Sequence, residues 1–297
     1  MGIDLARYHG WRGHLRSPWF AALAIVRVAL VQVFRRKSYW IVLALGLINF
    51  ITFWAVIYAV TQFEIPGRAQ EGLLEAFGFS AHPAPGEENG YVMFIERQSV
   101  VVMVLLAFSG SLLVGADFRT GALPFYLSRR LDRRHYIVGK ILAVSAVISL
   151  LTIIPALALF FEFGMFTASY EYWLENWRIP LSVVSYGLVI CAVMSILLVT
   201  LSAYLQRAAP IAITWSSLFV LLRSMSRQLR SATENDNWAL IDPWNNMRLV
   251  GKLCFGTFSD TQEQQLAWWA LLILFVICSV ALAALVHRVR AVDVVAN

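Results

Sequence analysis

YWIVLALGLINFITFWAVIYAV, residues Tyr39–Val60, runs for 22 positions without a charged side chain. It is apolar continuously and not in alternation, so it reads as a helix and not as a barrel strand. At 1.5 Å per residue such a helix is about 33 Å long, enough to cross a hydrocarbon core of about 30 Å. The residues just before it are Arg35, Arg36 and Lys37. Basic residues flanking a span stay on the cytoplasmic side, so the N-terminus is expected inside. The segment that follows, Thr61–Gln98, carries Arg68 and Arg97 against Glu64, Glu71, Glu75, Glu87, Glu88 and Glu96, and is expected outside.

The rest of the chain has the same character. Of its 297 residues, 59% are hydrophobic and 14% charged, whereas a soluble domain carries about 25% charged residues. Mean hydropathy is +0.67. The net charge of +6 sits beside apolar runs, the pattern of membrane anchoring and not of nucleic-acid binding. Five further runs are long or apolar enough to suggest spans: Ser99–Ala116, Ile137–Phe161, Ile179–Ala203, Ala208–Leu222 and Leu266–Val286. The expectation is an all-α integral membrane protein, one transmembrane domain over residues 1–297, with six spans at 39–60, 99–116, 137–161, 179–203, 208–222 and 266–286. Residues 61–98 and 223–265 form the outer segments, and Arg288 and Arg290 place the C-terminus inside. Both termini are thus expected in the cytoplasm of a bacterial inner membrane.

Two segments strain this scheme. Ala208–Leu222 covers only about 22 Å and leads into a stretch where Arg223, Arg227, Arg230, Arg248 and Lys252 would lie outside. A re-entrant fifth run is the competing reading. Ser17–Phe34 is apolar, but Arg27 lies near its centre, and a span there would invert every later loop. Residues 17–37 are therefore read as an interfacial elbow helix on the inner leaflet, with Arg27, Gln32 and Arg36 toward water.

Catalytic patterns are missing. The chain has no G-x-x-x-x-G-K-[ST], no H-E-x-x-H and no G-x-S-x-G, so it carries no P-loop of its own. Cys191, Cys254 and Cys278 lack metal-ligand spacing, and the five histidines do not cluster. The N-terminus lacks the order of a cleaved signal peptide. Glu162 is placed at the outer rim of the third span, and no ionisable residue is expected at mid-membrane. Small residues, Ser111 and Gly115 in the second span and Ser182, Ser185 and Gly187 in the fourth, suit close helix packing, either within the chain or at a dimer seam or gate.

Between the second and third spans lies Asp117–Lys140, DFRTGALPFYLSRRLDRRHYIVGK. Thr120-Gly121 is a turn signal. Ala122–Ser128 suits a short helix with Pro124 in its first turn, and Asp132 can cap the next helix. The positive-inside tendency and anionic lipid account for the arginines. They do not account for the apolar knot Leu123, Phe125, Tyr126 and Leu127, which looks like a docking surface.

This stretch resembles the permease subunits of type-2 ABC exporters. Their pattern reads roughly acid-x-x-x-Gly-[Thr/Ala]-Leu, then Leu-Ser-x-Pro-x-x-Arg, then Gly-Lys. Asp117, Gly121, Ala122 and Leu123 match the first part, Leu127, Ser128 and Arg133 the second, and Gly139 and Lys140 the last. Arg130 stands where the family has proline. The layout of elbow, six spans, short fifth span and basic tail is also similar. The resemblance implies a translocation path built by two permease subunits, as a homodimer or a heterodimer, in the lipid bilayer. It implies a separate ABC ATPase subunit that binds ATP and Mg, docked on the loop 117–136 through Leu123, Phe125, Tyr126 and Leu127, with Arg129, Arg130 and Arg133 facing acidic groups. It further implies short helices dipping back into the outer leaflet after the fifth span. No cofactor, metal or catalytic residue is expected on this chain, and no nucleic-acid partner. The alternatives are a membrane scaffold or receptor subunit that docks a cytosolic partner and transports nothing, and an intramembrane enzyme that uses the outer loops.

Overall fold

The computed structural model describes residues 18–63, 66–79, 89–110, 115–119, 132–167, 170–258 and 260–295. Among them there are helices and connections and no strand. In chain order the helices are α1 (Pro18–Arg35), α2 (Lys37–Gln62), α3 (Gly67–Ala76), α4 (Asn89–Gly110), the single turn α5 (Ala116–Arg119), α6 (Arg133–Leu151), α7 (Ile153–Thr167), α8 (Tyr170–Glu175), α9 (Arg178–Leu205), α10 (Ala208–Thr233), a 3-10 helix (Asp236–Ile241), α11 (Pro243–Phe255) and α12 (Thr261–Val295). Six stretches are long and apolar enough to cross a membrane: α2, α4, α6 with α7, α9, α10 and α12.

α4 and α9 are the most enclosed of the six, whereas α2, α10 and α12 turn most of their side chains outward. With no water to drive them together, such helices are held by close packing and interhelical hydrogen bonds. Both are present. Asn49 Nδ2 on α2 donates to Gln98 Oε1 on α4 at 2.8 Å, and Gln98 Nε2 donates to the Gly46 carbonyl at 3.3 Å. Thr200 and Tyr204 on α9 donate to the carbonyls of Ala281 and Ala284 on α12. The indole of Trp215 on α10 is fully enclosed and donates to the Met103 carbonyl on α4 at 3.0 Å.

The first and fourth spans end within two residues of their expected limits. The others run longer. α4 begins ten residues before Ser99 because its polar side chains find partners: Gln98 bonds to α2, and the Arg97 guanidinium lies over the rings of Phe53 and Phe77 at 5.5 and 5.4 Å. α10 is not short. It continues for 26 residues to Thr233, about 39 Å, so it is not confined to 208–222 and is long enough to cross a membrane. Its extension is closed by the 3-10 helix, where Ser226 donates to the Trp238 carbonyl and Arg230 pairs with Asp236. Part of the segments 61–98 and 223–265, expected outside, is thus helical, as α3, the start of α4, the end of α10 and α11.

The third span is broken. Pro155 has no N–H to offer the Leu151 carbonyl, and the helix interrupts at Thr152, between α6 and α7. α7 then runs on to Thr167, so Glu162 lies five residues before the end of the third candidate span. Glu162 is buried, and neither carboxylate oxygen has a hydrogen-bond partner among the described residues.

α1 is a helix, and it is not among the six candidate spans. It packs chiefly on α6 through Ala22, Ala29 and Val33, and leaves Trp19, Phe20, Leu23, Val28, Val31 and Phe34 exposed. Arg27, Gln32 and Arg36 are exposed as well. The two-residue connection Gln206–Arg207 between α9 and α10 is as tight as expected, with Gln206 in the left-handed region at φ 59°.

Candidate functional site

The apolar knot and two of the loop's arginines fall outside the described residues: Gly121, Leu123, Phe125, Tyr126, Leu127, Ser128, Arg129 and Arg130, as does Ser111. What is described is the base from which that loop departs and to which it returns.

One turn of α6 organises this base. Tyr136 and Lys140 are four residues apart, so they share a helix face. Both reach Asp117 in α5. Lys140 Nζ lies 2.7 Å from Asp117 Oδ2, and the Tyr136 hydroxyl donates to the same oxygen at 2.9 Å. The Lys140 ammonium also lies 5.8 Å from the Tyr136 ring centroid. The pair is largely desolvated, with side-chain exposures of 9% for Lys140 and 16% for Asp117. Two charges removed from water to this extent hold a narrow geometry, because separating them leaves each uncompensated.

Gly139 faces the other way, toward α1. A Cβ at that position would lie 3.0 Å from Ile25 Cδ1 and 3.4 Å from the Ala22 backbone. A bare α-carbon there lets α1 seat against the helix. One turn below, the Trp19 and His135 rings meet edge to face at 4.7 Å. Thus Asp117, Gly139 and Lys140, singled out in the sequence as parts of one pattern, come together where α5, the third span and α1 meet. Arg133 is half-buried at the start of the same helix. Asp132 occupies the N-cap position as expected, but its side chain makes no cap hydrogen bond.

The small residues are used inside the chain. Gly115 sits against the Gln206 carbonyl, 3.0 Å from a built Cβ, and Gly187 admits Ile153 of α7. Ser182 donates to the Cys254 carbonyl at 2.8 Å. At these three positions the close packing is between elements of one chain.

A second polar region lies at the opposite end of the bundle. α11 is wedged against α12, α9 and α4. Gly251 accommodates the Tyr186 ring, whose Cζ would be 2.6 Å from a Cβ there. Lys252 pairs with Glu263 at 2.6 Å, and Arg248 faces Glu96 at 3.9 Å. A cavity of about 250 Å³ opens beside them, lined by Arg230, Asp236, Asn245, Arg248, Asp260 and Glu263 among others. Asp242 caps α11 by accepting the Trp244 N–H at 2.9 Å. Burial pushes its carboxyl above the usual range, opposed by the Trp244 and Asn245 N–H donors and the charges of Arg223 and Arg227. Charge placement makes this region awkward for the six-span scheme, and the resemblance implies short helices in it. A local signal was nonetheless there: Asp242 before Pro243 opens a helix, and Gly256, left-handed at φ 72°, closes it.

No family model matches the chain, and no curated protein matches it.

Proposed function

We propose that this chain is the transmembrane permease subunit of an ATP-driven ABC exporter. It forms the translocation path with a second permease subunit and takes its energy from a separate P-loop ATPase docked on the loop between the second and third spans. The observation that carries the reading is the base of that loop: the Asp117–Lys140 pair ties α5, where the loop departs, to the third candidate span, to which it returns, and Gly139 brings α1 onto the same point. A helix pair tied in this way is suited to receive force from a docked subunit. The short helix α11, packed among α4, α9 and α12, agrees with the folded-back helices that the sequence resemblance implies.

The docking surface is the apolar knot, so Leu127→Asp, which puts a charge into it, is expected to abolish copurification of the ATPase. Membrane insertion, read as yield of folded protein from the membrane fraction, should stay normal. Copurification at wild-type levels would remove the docking role from this loop.

In this reading both termini and the 117–136 loop are cytoplasmic. Reporter fusions check the sidedness: one near Asn89 should read outside and one near Asp132 inside. The opposite pair would mean that α1 spans.

A further inference from the structure

We infer that Asp117 and Lys140, with Tyr136, are positioning residues that make the base of the 120–131 segment a rigid junction. Displacement of that segment is passed on to α5, the third span and α1 together. The inference rests on the exporter reading for what does the displacing.

Three observations carry it. First, the two charged groups belong to opposite ends of the segment, and their contact at 2.7 Å closes it at the root. Second, the acceptor is shared: the Lys140 ammonium and the Tyr136 hydroxyl converge on one oxygen, Asp117 Oδ2, from one face of α6. The carboxylate is thereby fixed in position as well as neutralised. Third, the same helical turn presents Gly139 to the α1 backbone at Ala22. A shift of Asp117 relative to α6 therefore breaks a desolvated ion pair, whereas a shift of α5, α6 and α1 as one body keeps it. An apolar contact in this place would permit sliding, because dispersion and burial are not directional. An ion pair with a second donor does not.

Asp117 and Lys140 are also largely hidden from solvent, so they are separate from the surface offered to a partner. Docking and transmission can be uncoupled by mutation. The test uses the full chain with the P-loop ATPase that copurifies with it, reconstituted in lipid nanodiscs. Asp117→Asn, Lys140→Gln, Lys140→Arg and the reciprocal pair Asp117→Lys with Lys140→Asp are compared with the wild type. Two quantities are read: the amount of ATPase retained, and the ATP-dependent change in distance between spin labels at Gln62→Cys and Gln262→Cys. Those positions lie at the ends of α2 and α12 far from the loop base and are exposed; the native cysteines are replaced by serine in this background.

Both neutral variants should retain wild-type amounts of ATPase while the fraction of molecules that respond to ATP falls about tenfold, with the reciprocal pair recovering to within about threefold of wild type. Lys140→Arg, which keeps the charge, should respond nearly as the wild type does. Full response in both neutral variants would overturn the positioning role, and so would loss of the ATPase, since that would place the pair in docking. If a neutral variant does not fold, Lys140→Arg and the reciprocal pair decide: response in both supports the role, and silence in either overturns it. A wild-type chain that retains no ATPase would instead remove the exporter reading, and this role with it.

Discussion

Gly187→Val is expected to lower the stability of the purified protein by about 1–3 kcal/mol, the range for overpacking a filled interior. Ile153→Ala placed in the same chain is expected to restore most of the loss. Gly187 lies on α9, and a Cβ there would overlap the Ile153 side chain at the first position of α7. Ile153 cannot easily turn away. Its β-branched side chain has one strongly preferred rotamer in a helix, and it follows directly on the break at Thr152. The substitution therefore pushes the two halves of the third span apart at the place where Pro155 has already removed a backbone hydrogen bond. Thermal unfolding in detergent measures the effect. Ile153→Ala alone should also destabilise, because it empties the space that Gly187 provides. The coupling between the two sites is the decisive quantity, and a double variant no more stable than Gly187→Val would show that the two do not meet.

Trp215→Ala is expected to cost more, about 3–5 kcal/mol, the range for removing a large buried aromatic side chain. Trp215 is fully enclosed, and its indole N–H reaches the Met103 carbonyl on α4. Its ring meets Phe219 at 4.9 Å, and Phe219 meets Trp244 of α11 at 6.2 Å. This aromatic row joins α10 to the central helix on one side and to α11 on the other. Trp215→Phe keeps most of the volume and loses the hydrogen bond, so it should cost about 0.5–1.5 kcal/mol. Unfolding of the two variants under the same conditions separates packing from hydrogen bonding. Equal losses would mean that the N–H, and not the enclosed ring, is what matters. α10 turns most of its other side chains outward, so this row is a large part of what seats it.

The residues of the loop base illustrate how far pattern reading reaches. Asp117, Gly139 and Lys140 stood out in the sequence as members of a spaced motif, with no role attached to any of them. Folded, each has a task that its chemistry explains: a carboxylate and an ammonium that neutralise one another out of water, and a glycine that admits a neighbouring backbone. Tyr136 belonged to no part of that motif and carries the second bond to Asp117. A lone tyrosine at a helix start has no signal of its own. Its partner lies 19 residues away in sequence, and only the path of the chain brings the two together.

The helix ends show the same division. A helical membrane protein with six spans follows from composition and from uninterrupted apolar runs, because the cost of exposing backbone to lipid admits few alternatives. Where each span stops was a different matter. A hydropathy reading charges every polar side chain its full desolvation cost, and so it ended the fifth span before Arg223 and began the second after Gln98. In the folded chain Gln98 is buried and its cost is offset by Asn49 and the Gly46 carbonyl, while Arg97 and Arg230 stay exposed, the one over two phenyl rings and the other beside Asp236. The break at Thr152 is a mixed case, since Pro155 is plain in the sequence while its effect depends on how α9 packs at Gly187. Run length and charge placement are properties of neighbours along the chain, and they sufficed for the architecture. Satisfying a buried polar or charged group requires a partner brought from elsewhere in the chain, which is why the limits of the longer spans and the loop-base junction came only with the tertiary structure.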